Sequence, residues 1–148
     1  MKQFTWVFIF FSLGAFAECP KLEGEYLCGK IGRERDDLGK IVEIPQSDGT
    51  TFFQVIIADH DGEEEVIEAF SGGKKHKFKR KFKGIKIKGK SWGHCKANSL
   101  NIHLRVSAFL LKATASYKLE IKDKELFIFG KTSFLGSEDT DEIGCHKL

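Results

Sequence analysis

Apolar and polar side chains alternate residue by residue over two long runs in the second half of the chain, residues 100–107 and 111–122. A period of two places the apolar side chains on one face of an extended strand and the polar side chains on the other. An amphipathic helix needs a period of about 3.6 residues, which neither run has. Both runs therefore predict long β-strands with one buried and one wet face.

Shorter runs rich in β-branched and aromatic residues predict further strands. We place these strands at residues 25–31, 40–44, 53–57, 66–70, 85–95 and 126–129. Turn-forming pairs stand between the runs: Asp48-Gly49, Asp61-Gly62, Gly72-Gly73, Asn98-Ser99 and Asp123-Lys124. Because successive strands with short turns are typical of a meander, we expect an all-β fold. It should have about eight or nine antiparallel strands closed into a small barrel, with a β-sandwich as the alternative.

The apolar faces of the two long runs supply the predicted core. We expect this core to contain Leu100, Ile102, Leu104, Leu119 and Ile121. The C-terminal segment has no such alternation, and its acidic cluster of Glu138, Asp139, Asp141 and Glu142 predicts a solvated loop.

The first 17 residues have the features of a cleaved signal peptide. Lys2 is the only charge before Glu18, and the uncharged run ends in Ala15-Phe16-Ala17, a small-x-small cleavage pattern. We expect residues 1–17 to be removed and residues 18–148 to form one domain without a transmembrane segment, secreted or periplasmic. Lipidation of Cys19 is the alternative, but the residue before it is Glu18, where that processing needs a small side chain.

All four cysteines, Cys19, Cys28, Cys95 and Cys145, lie in the mature part of the chain. An even number in an oxidising compartment predicts two disulfides, and four cysteines allow three pairings. We favour Cys19 with Cys28 and Cys95 with Cys145. The alternative is a metal site of two cysteines and two histidines at His94-Cys95 and Cys145-His146, but neighbouring residues on a strand point to opposite faces.

Charge is strongly segregated along a chain whose mature part is close to neutral. Residues 59–68 carry six acidic groups and no basic one, whereas residues 74–90 carry ten basic groups and no acidic one. Within the basic segment, lysines alternate with Phe78, Arg80 and Phe82 before Gly84 and with isoleucines after it. This pattern predicts a lysine-coated strand face formed by Lys77, Lys79, Lys81, Lys83, Lys86 and Lys88.

Two interpretations of this lysine face remain open. It is a solvated surface that discourages edge-to-edge aggregation, or it binds an anionic partner such as lipid headgroups, an acidic polysaccharide or an acidic protein surface. The acidic segment 59–68 is a further candidate to face it within the same molecule. The near-neutral total charge and the predicted export argue against nucleic acid.

The segment Pro20-Lys21-Leu22-Glu23-Gly24-Glu25-Tyr26, followed by a meander and a cysteine-tethered C-terminus, resembles lipocalins and related calycin-like barrels. Lipocalins carry Gly-x-Trp at this place, and here Tyr26 stands where the tryptophan would be. The resemblance implies a barrel and, with it, a place for a small apolar ligand. The alternative interpretation of Gly24-Glu25-Tyr26 is a strand start with a core aromatic residue.

Small side chains on two predicted strands bear on such a ligand. Gly89, Ser91 and Gly93 share one strand face, and Ala113 and Ala115 share another. If these strands are neighbours, they leave either a cavity or room for large side chains from across the barrel. Phenylalanines available to fill it are Phe53, Phe70, Phe127 and Phe129.

We predict no catalytic residue, no cofactor and no metal, because the histidines are scattered and the cysteines are explained as disulfides. The sequence thus leaves two functional hypotheses. One is an exported, non-enzymatic β-barrel binding protein with an apolar ligand inside or an anionic partner on residues 74–90. The alternative is a structural or envelope-associated protein without a small-molecule ligand.

Overall fold

A computed structural model describes residues 19–82 and 84–148, and the predicted signal peptide at residues 1–17 lies outside this part of the chain. Ten strands run through it: β1 (Gly24–Lys30), β2 (Asp37–Pro45), β3 (Thr51–Ala58), β4 (Glu64–Phe70), β5 (His76–Phe82), β6 (Ile85–Lys96), β7 (Ser99–Ala108), β8 (Leu111–Lys122), β9 (Glu125–Phe134) and β10 (Ser137–Lys147). A short 3₁₀ turn, Ser71–Gly73, connects β4 to the β5–β6 hairpin.

The strands form one antiparallel sheet in the order β4-β3-β2-β1-β10-β9-β8-β7-β6-β5. Each strand pairs with its neighbour along the chain, except that β1 pairs with β10 and no ladder joins β4 to β5 within the described residues. The sheet is therefore a nearly closed barrel with one unsealed seam between β4 and the β5–β6 hairpin. The predicted all-β meander is confirmed, with ten strands instead of eight or nine.

The prediction of a solvated loop at the C-terminus was wrong, because this segment is strand β10. Its first six residues are polar and exposed, so no alternation marks it as a strand. β10 is held by its backbone instead, since it pairs with β9 from Ser137 onwards and with β1 along its second half. The polar residues 137–142 are therefore kept in the sheet by their backbone hydrogen bonds, almost all of them to β9, and not by an apolar face.

The core lies inside the barrel and consists mainly of aliphatic side chains. Leu100, Ile102 and Leu119 are buried, and Leu104 and Ile121 pack against them half-buried, so the predicted core is confirmed. Tyr26 is also in this core. Its hydroxyl donates a hydrogen bond to the Leu22 carbonyl oxygen at 2.5 Å.

The four cysteines form two disulfides, but the pairing differs from the predicted one. Cys28 bonds to Cys145, 117 residues away, and Cys19 bonds to Cys95. Cys28 and Cys145 are direct partners in the β1–β10 ladder, so the strand pairing itself brings their side chains together. The predicted pairing fastened the entry segment to the first strand and tied down a C-terminal tail expected to be loose, whereas that tail is strand β10. The β1–β10 pairing, which places the two chain ends side by side, has no local signal.

Side chains bridge the seam that the backbone leaves open. Ser91 of β6 donates a hydrogen bond to the Glu68 carbonyl oxygen of β4, and Arg80 of β5 donates one to the Val66 carbonyl oxygen at 2.6 Å. The Glu68 carboxylate lies 3.2 Å from His76 Nε2 and 3.4 Å from Arg80 Nη2. Glu68 therefore holds the two edges of the sheet together.

Truncation of Ile102 to alanine tests the core. Ile102 is fully buried, so Ile102→Ala should lower the free energy of unfolding by about 2–5 kcal/mol in denaturant titrations. Thr114→Ala, on the outer face of the neighbouring strand, should change it by no more than about 0.5 kcal/mol. A loss below about 1 kcal/mol at Ile102 would contradict its place in the core.

Peptide mapping without reduction tests the disulfide pairing. Trypsin cuts after Lys21, Lys30, Lys96 and Lys131, which puts each cysteine on a separate peptide. Mass spectrometry should find the Cys28 peptide linked to the Cys145 peptide. It should also find the Cys19 peptide linked to the Cys95 peptide. A link between the Cys19 and Cys28 peptides would overturn the observed pairing.

The variant Glu68→Gln tests the seam. Burial raises the pKa of Glu68, but hydrogen bonds from Gln54 and His76 and the charge of Arg80 outweigh it and hold this pKa below its usual value. The ionised carboxylate therefore stabilises the fold above the unfolded-state pKa, and this contribution is lost as the pH falls through the folded-state pKa.

Glu68→Gln should lower the free energy of unfolding by about 1–3 kcal/mol at pH 7, the usual worth of hydrogen bonds to a charged group. The difference from the unsubstituted protein should shrink as the pH falls through the folded-state pKa of Glu68, because the carboxyl group of the unsubstituted protein then becomes protonated too. Urea titrations from pH 7 downwards measure this difference. A loss that keeps the same size as the pH is lowered would show that the charge of Glu68 does not stabilise the seam.

Candidate functional site

The β5–β6 hairpin carries lysines in directly opposed pairs. The register pairs Lys77 with Lys90, Lys79 with Lys88 and Lys81 with Lys86. Directly opposed residues of an antiparallel pair share one face, and all six side chains are exposed. We call these six residues the lysine ribbon. The hairpin turns at Gly84, whose φ of 79° suits glycine and few other residues.

Five of the six lysines predicted from the sequence belong to the ribbon: Lys77, Lys79, Lys81, Lys86 and Lys88. Lys83 lies outside the described residues. Lys90 was missed as a site residue, although the same alternation that selects Lys86 and Lys88 reaches it. The structure thus brings the predicted lysines together, and their binding role stays a prediction.

The opposite face of the hairpin holds the ribbon in place. The outer end of the Phe78 ring lies against Gly89, where any Cβ would overlap it, so glycine at this position makes room for the ring. Arg80, on the same face as Phe78, reaches across the seam to β4. These contacts leave the lysine face turned outwards.

No acidic side chain of residues 19–82 or 84–148 lies within 4.0 Å of a ribbon ammonium group. The acidic segment 59–68 does reach the hairpin, but through Glu68, which contacts Arg80 and His76. Arg80 lies on the face opposite the lysines. The acidic segment therefore does not neutralise the ribbon.

The basic surface continues onto the outer faces of β7 and β8. Lys90 pairs with Arg105, and Lys88 pairs with Ser107, which in turn pairs with Lys112. We call the lysine ribbon together with Arg105 and Lys112 the basic face. The alternation assigned Arg105 and Lys112 to wet strand faces, but only the register shows that they adjoin the ribbon.

An aromatic residue lies within this surface. Trp92 stacks on His103 with ring centroids 5.7 Å apart, and the Arg105 guanidinium lies 5.7 Å from the Trp92 ring. A shallow groove of about 630 Å³ runs beside Trp92. It is lined by Lys75, Lys88, Lys90, Arg105, Lys112 and small or hydroxyl side chains. The groove offers both positive charge and an aromatic wall.

The barrel interior offers less space. Its mouth holds a cavity of about 210 Å³, with Ile67, Leu119 and Ile128 among its lining, whereas small-molecule sites usually measure about 300–1,000 Å³. Beside it the Tyr117 hydroxyl lies 3.4 Å from Glu65, and burial, then the Glu65 carboxylate, raises the pKa of Tyr117 to about 12. The interior is thus largely filled.

The small residues considered for a ligand cavity are not on neighbouring strands, because β7 lies between β6 and β8. Ser91 and Gly93 are buried against β4, where they make room for its close approach. Of the four phenylalanines considered as fillers, Phe53 is fully buried, and Phe129 is exposed on the outside of the barrel. Phe53 and aliphatic side chains therefore fill the centre.

Two motif spacings known from catalytic and phosphate-binding sites occur at the β5–β6 turn and in β6. Residues 89–93 match Gly-x-Ser-x-Gly, and residues 84–91 match the Gly-x-x-x-x-Gly-Lys-Ser of phosphate-binding loops. Both motifs act at a turn between a strand and a helix. Here they lie along an extended strand, and Ser91 is fully buried with its hydroxyl bonded to Glu68. Neither has the geometry its chemistry requires.

The proposed alternative of a cysteine–histidine metal site needs thiolates that the structure does not have. Cys95 and Cys145 belong to two different disulfides. Across residues 19–82 and 84–148, no three histidine, cysteine or acidic side chains are grouped as metal ligands would be.

No helix among the described residues combines the length and apolar character that crossing a bilayer requires. Comparison with known proteins adds no relative to this description. No protein-family model, no curated protein and no solved structure matches the chain.

Proposed function

We propose that the protein is an exported, non-enzymatic binding protein that takes an anionic partner on its basic face. One observation carries this proposal: three directly opposed lysine pairs share one exposed face, with no acidic partner among the described residues. Like charges directly opposite each other destabilise a strand pair. An anion bound on the ribbon would relieve this repulsion.

Solubility alone does not explain where these charges lie. Lysines on an edge strand prevent edge-to-edge aggregation, and this role fits β5. The ribbon, however, includes Lys86, Lys88 and Lys90 of β6, which is paired on both sides, and the basic face continues to Arg105 of β7. Charges on inner strands do not protect an edge, so their concentration on one face favours binding.

The near-neutral charge of the mature chain does not oppose this function. Charges act over a Debye length of about 8–10 Å at moderate salt, so a partner near the ribbon responds to the local field and not to the total. The interior cavity, at about 210 Å³, gives less support to an apolar ligand inside the barrel. The basic face is therefore the better-supported binding site.

Changing Lys77, Lys79 and Lys81 together to glutamine tests this function. At low salt the unsubstituted protein should bind an immobilised acidic polysaccharide, and binding should fall steeply as salt shortens the Debye length. The triple variant should lose this binding and keep its stability, because exposed charges contribute little to the fold. Surface plasmon resonance and thermal unfolding measure the two effects.

A matched control changes Lys21, Lys122 and Lys124 to glutamine. These residues are exposed and lie away from the ribbon, and the variant has the same net charge as the ribbon variant. It should bind almost as the unsubstituted protein does. The proposal fails if no anion binds at low salt, or if both triple variants lose binding equally.

A further inference from the structure

Three neighbouring hairpins end in exposed apolar residues at the same end of the barrel. Because successive strands are antiparallel, the β5–β6, β7–β8 and β9–β10 turns all lie at one end, and the three hairpins are adjacent in the sheet. Their turns carry Ile85, Phe109, Leu110 and Leu135, which we call the apolar tips. Sheet neighbours are about 4.8 Å apart, so adjacent tips lie roughly 10 Å from one another.

The apolar tips project into solvent. Phe109 is 96% exposed, Leu110 83%, Leu135 74% and Ile85 56%. Single exposed apolar residues are common on folded proteins, but several large ones grouped on one end indicate an interaction surface. Leu111 and Phe134, which flank two of the turns, are exposed as well. The apolar tips and their two exposed neighbours therefore have the features of a surface that contacts an apolar partner.

Backbone geometry strengthens this inference. Phe109 has a φ of 56° and Leu135 a φ of 49°, in the left-handed region that glycine, asparagine and aspartate occupy most readily. Large apolar side chains at such positions oppose the local backbone preference. The turns at the other end have ordinary polar chemistry, for example Asp123-Lys124, where both residues also have positive φ.

Lysines lie beside two of the three turns. Lys81 and Lys86 pair next to the β5–β6 turn, and Lys112 follows Leu111 directly. A protruding apolar residue with lysines beside it matches the cross-section of an anionic bilayer, where acyl chains lie beneath charged headgroups. We propose that the apolar tips insert into the interfacial layer of an anionic lipid membrane while the lysine ribbon contacts its headgroups.

This inference rests on the proposed function and names lipid as the anionic partner. An acidic polysaccharide offers no apolar layer to Phe109 or Leu110. A second copy of the chain, docked tip to tip about a twofold axis, would bring the lysines beside both sets of tips to one interface. A lipid surface satisfies both the apolar tips and the lysines.

Acidic residues at the same end set the orientation of docking. Glu138 is paired with Lys131 at 3.1 Å and Asp141 with Lys30 at 3.2 Å, and Asp139 is exposed without an ion pair among the described residues. The β3–β4 turn, residues 59–63, carries three acidic residues close together. An anionic surface repels this turn. The barrel should therefore tilt so that the β5–β6, β7–β8 and β9–β10 hairpins face the lipid.

The decisive variant replaces Phe109, Leu110 and Leu135 with serine. The matched control replaces Ile31, Leu38 and Ile44 with serine; these are exposed apolar residues outside the three tip hairpins. Both variants are compared with the ribbon variant, which carries Lys77→Gln, Lys79→Gln and Lys81→Gln. Binding to vesicles of phosphatidylserine and phosphatidylcholine is measured by cosedimentation, and binding to the immobilised acidic polysaccharide by surface plasmon resonance. Circular dichroism confirms that each variant is folded.

We expect the tip variant to bind vesicles at least tenfold more weakly than the unsubstituted protein and to bind the polysaccharide equally well. The ribbon variant should lose binding to both, and the control variant should keep binding to both. If the tip variant binds vesicles as the unsubstituted protein does, insertion is wrong and the proposed function still stands. If the unsubstituted protein binds the polysaccharide but not the vesicles, lipid is the wrong partner. If it binds neither, both proposals fail.

A second readout does not depend on loss of binding. Phe109→Trp places an indole at a tip, and brominated acyl chains should quench its fluorescence and shift its emission to the blue on vesicle binding. The unsubstituted protein, with Trp92 away from the tips, serves as the blank. Absence of quenching in bound protein would overturn insertion, as would sedimentation showing a dimer that the serine substitutions at the tips convert to monomer.

Discussion

The pairing of β1 with β10 is the interaction on which the rest of the barrel depends. Within residues 19–82 and 84–148 it is the only ladder that joins strands distant in the chain, and it unites the β1–β4 and β5–β10 meanders into one sheet. The disulfide Cys28–Cys145 lies within this ladder. A covalent link across a loop of roughly 100 residues offsets about 4.7 kcal/mol of chain entropy in the entropic account of disulfides. The second disulfide fastens the segment before β1 to β6, so the N-terminal part is tied to both meanders.

Closure at β1 and β10 moves the free edges of the sheet to β4 and β5, and this explains where the candidate site lies. The two edges meet only through side chains, chiefly Glu68, Ser91 and Arg80. The β5–β6 hairpin is therefore not enclosed by a further strand, and its outer face is open to solvent along its length. Edge lysines are expected on such a hairpin. Protection of an edge does not explain why the basic residues continue onto β6 and β7, which are inner strands. This continuation is the physical basis for proposing a binding surface.

Sequence reasoning predicted what depends on local periodicity and missed what depends on long-range register. The alternation at residues 100–107 and 111–122 predicted β7 and β8 and the buried Leu100, Ile102 and Leu119. It could not predict β10, whose polar residues are held by backbone pairing, or the disulfides that this pairing creates. Alternation identified the ribbon lysines, yet the contact of Arg105 with Lys90 exists only because β6 pairs with β7 in this register. The two motif spacings at residues 84–91 and 89–93 illustrate the same limit. Their residue types are present, but the strand-to-helix turn on which their activity depends is not.

Segregation of charge has a structural consequence that the near-neutral total conceals. Glu68 is the member of the acidic segment that meets the basic hairpin, and its carboxylate is engaged by His76 and Arg80 at the seam. Because side chains alternate along β5, Arg80 and the ribbon lysines lie on opposite faces. The contact that closes the barrel thus leaves the lysine repulsion uncompensated. The seam contacts and the proposed binding surface lie on opposite faces of one hairpin, so the charges of each can be altered separately.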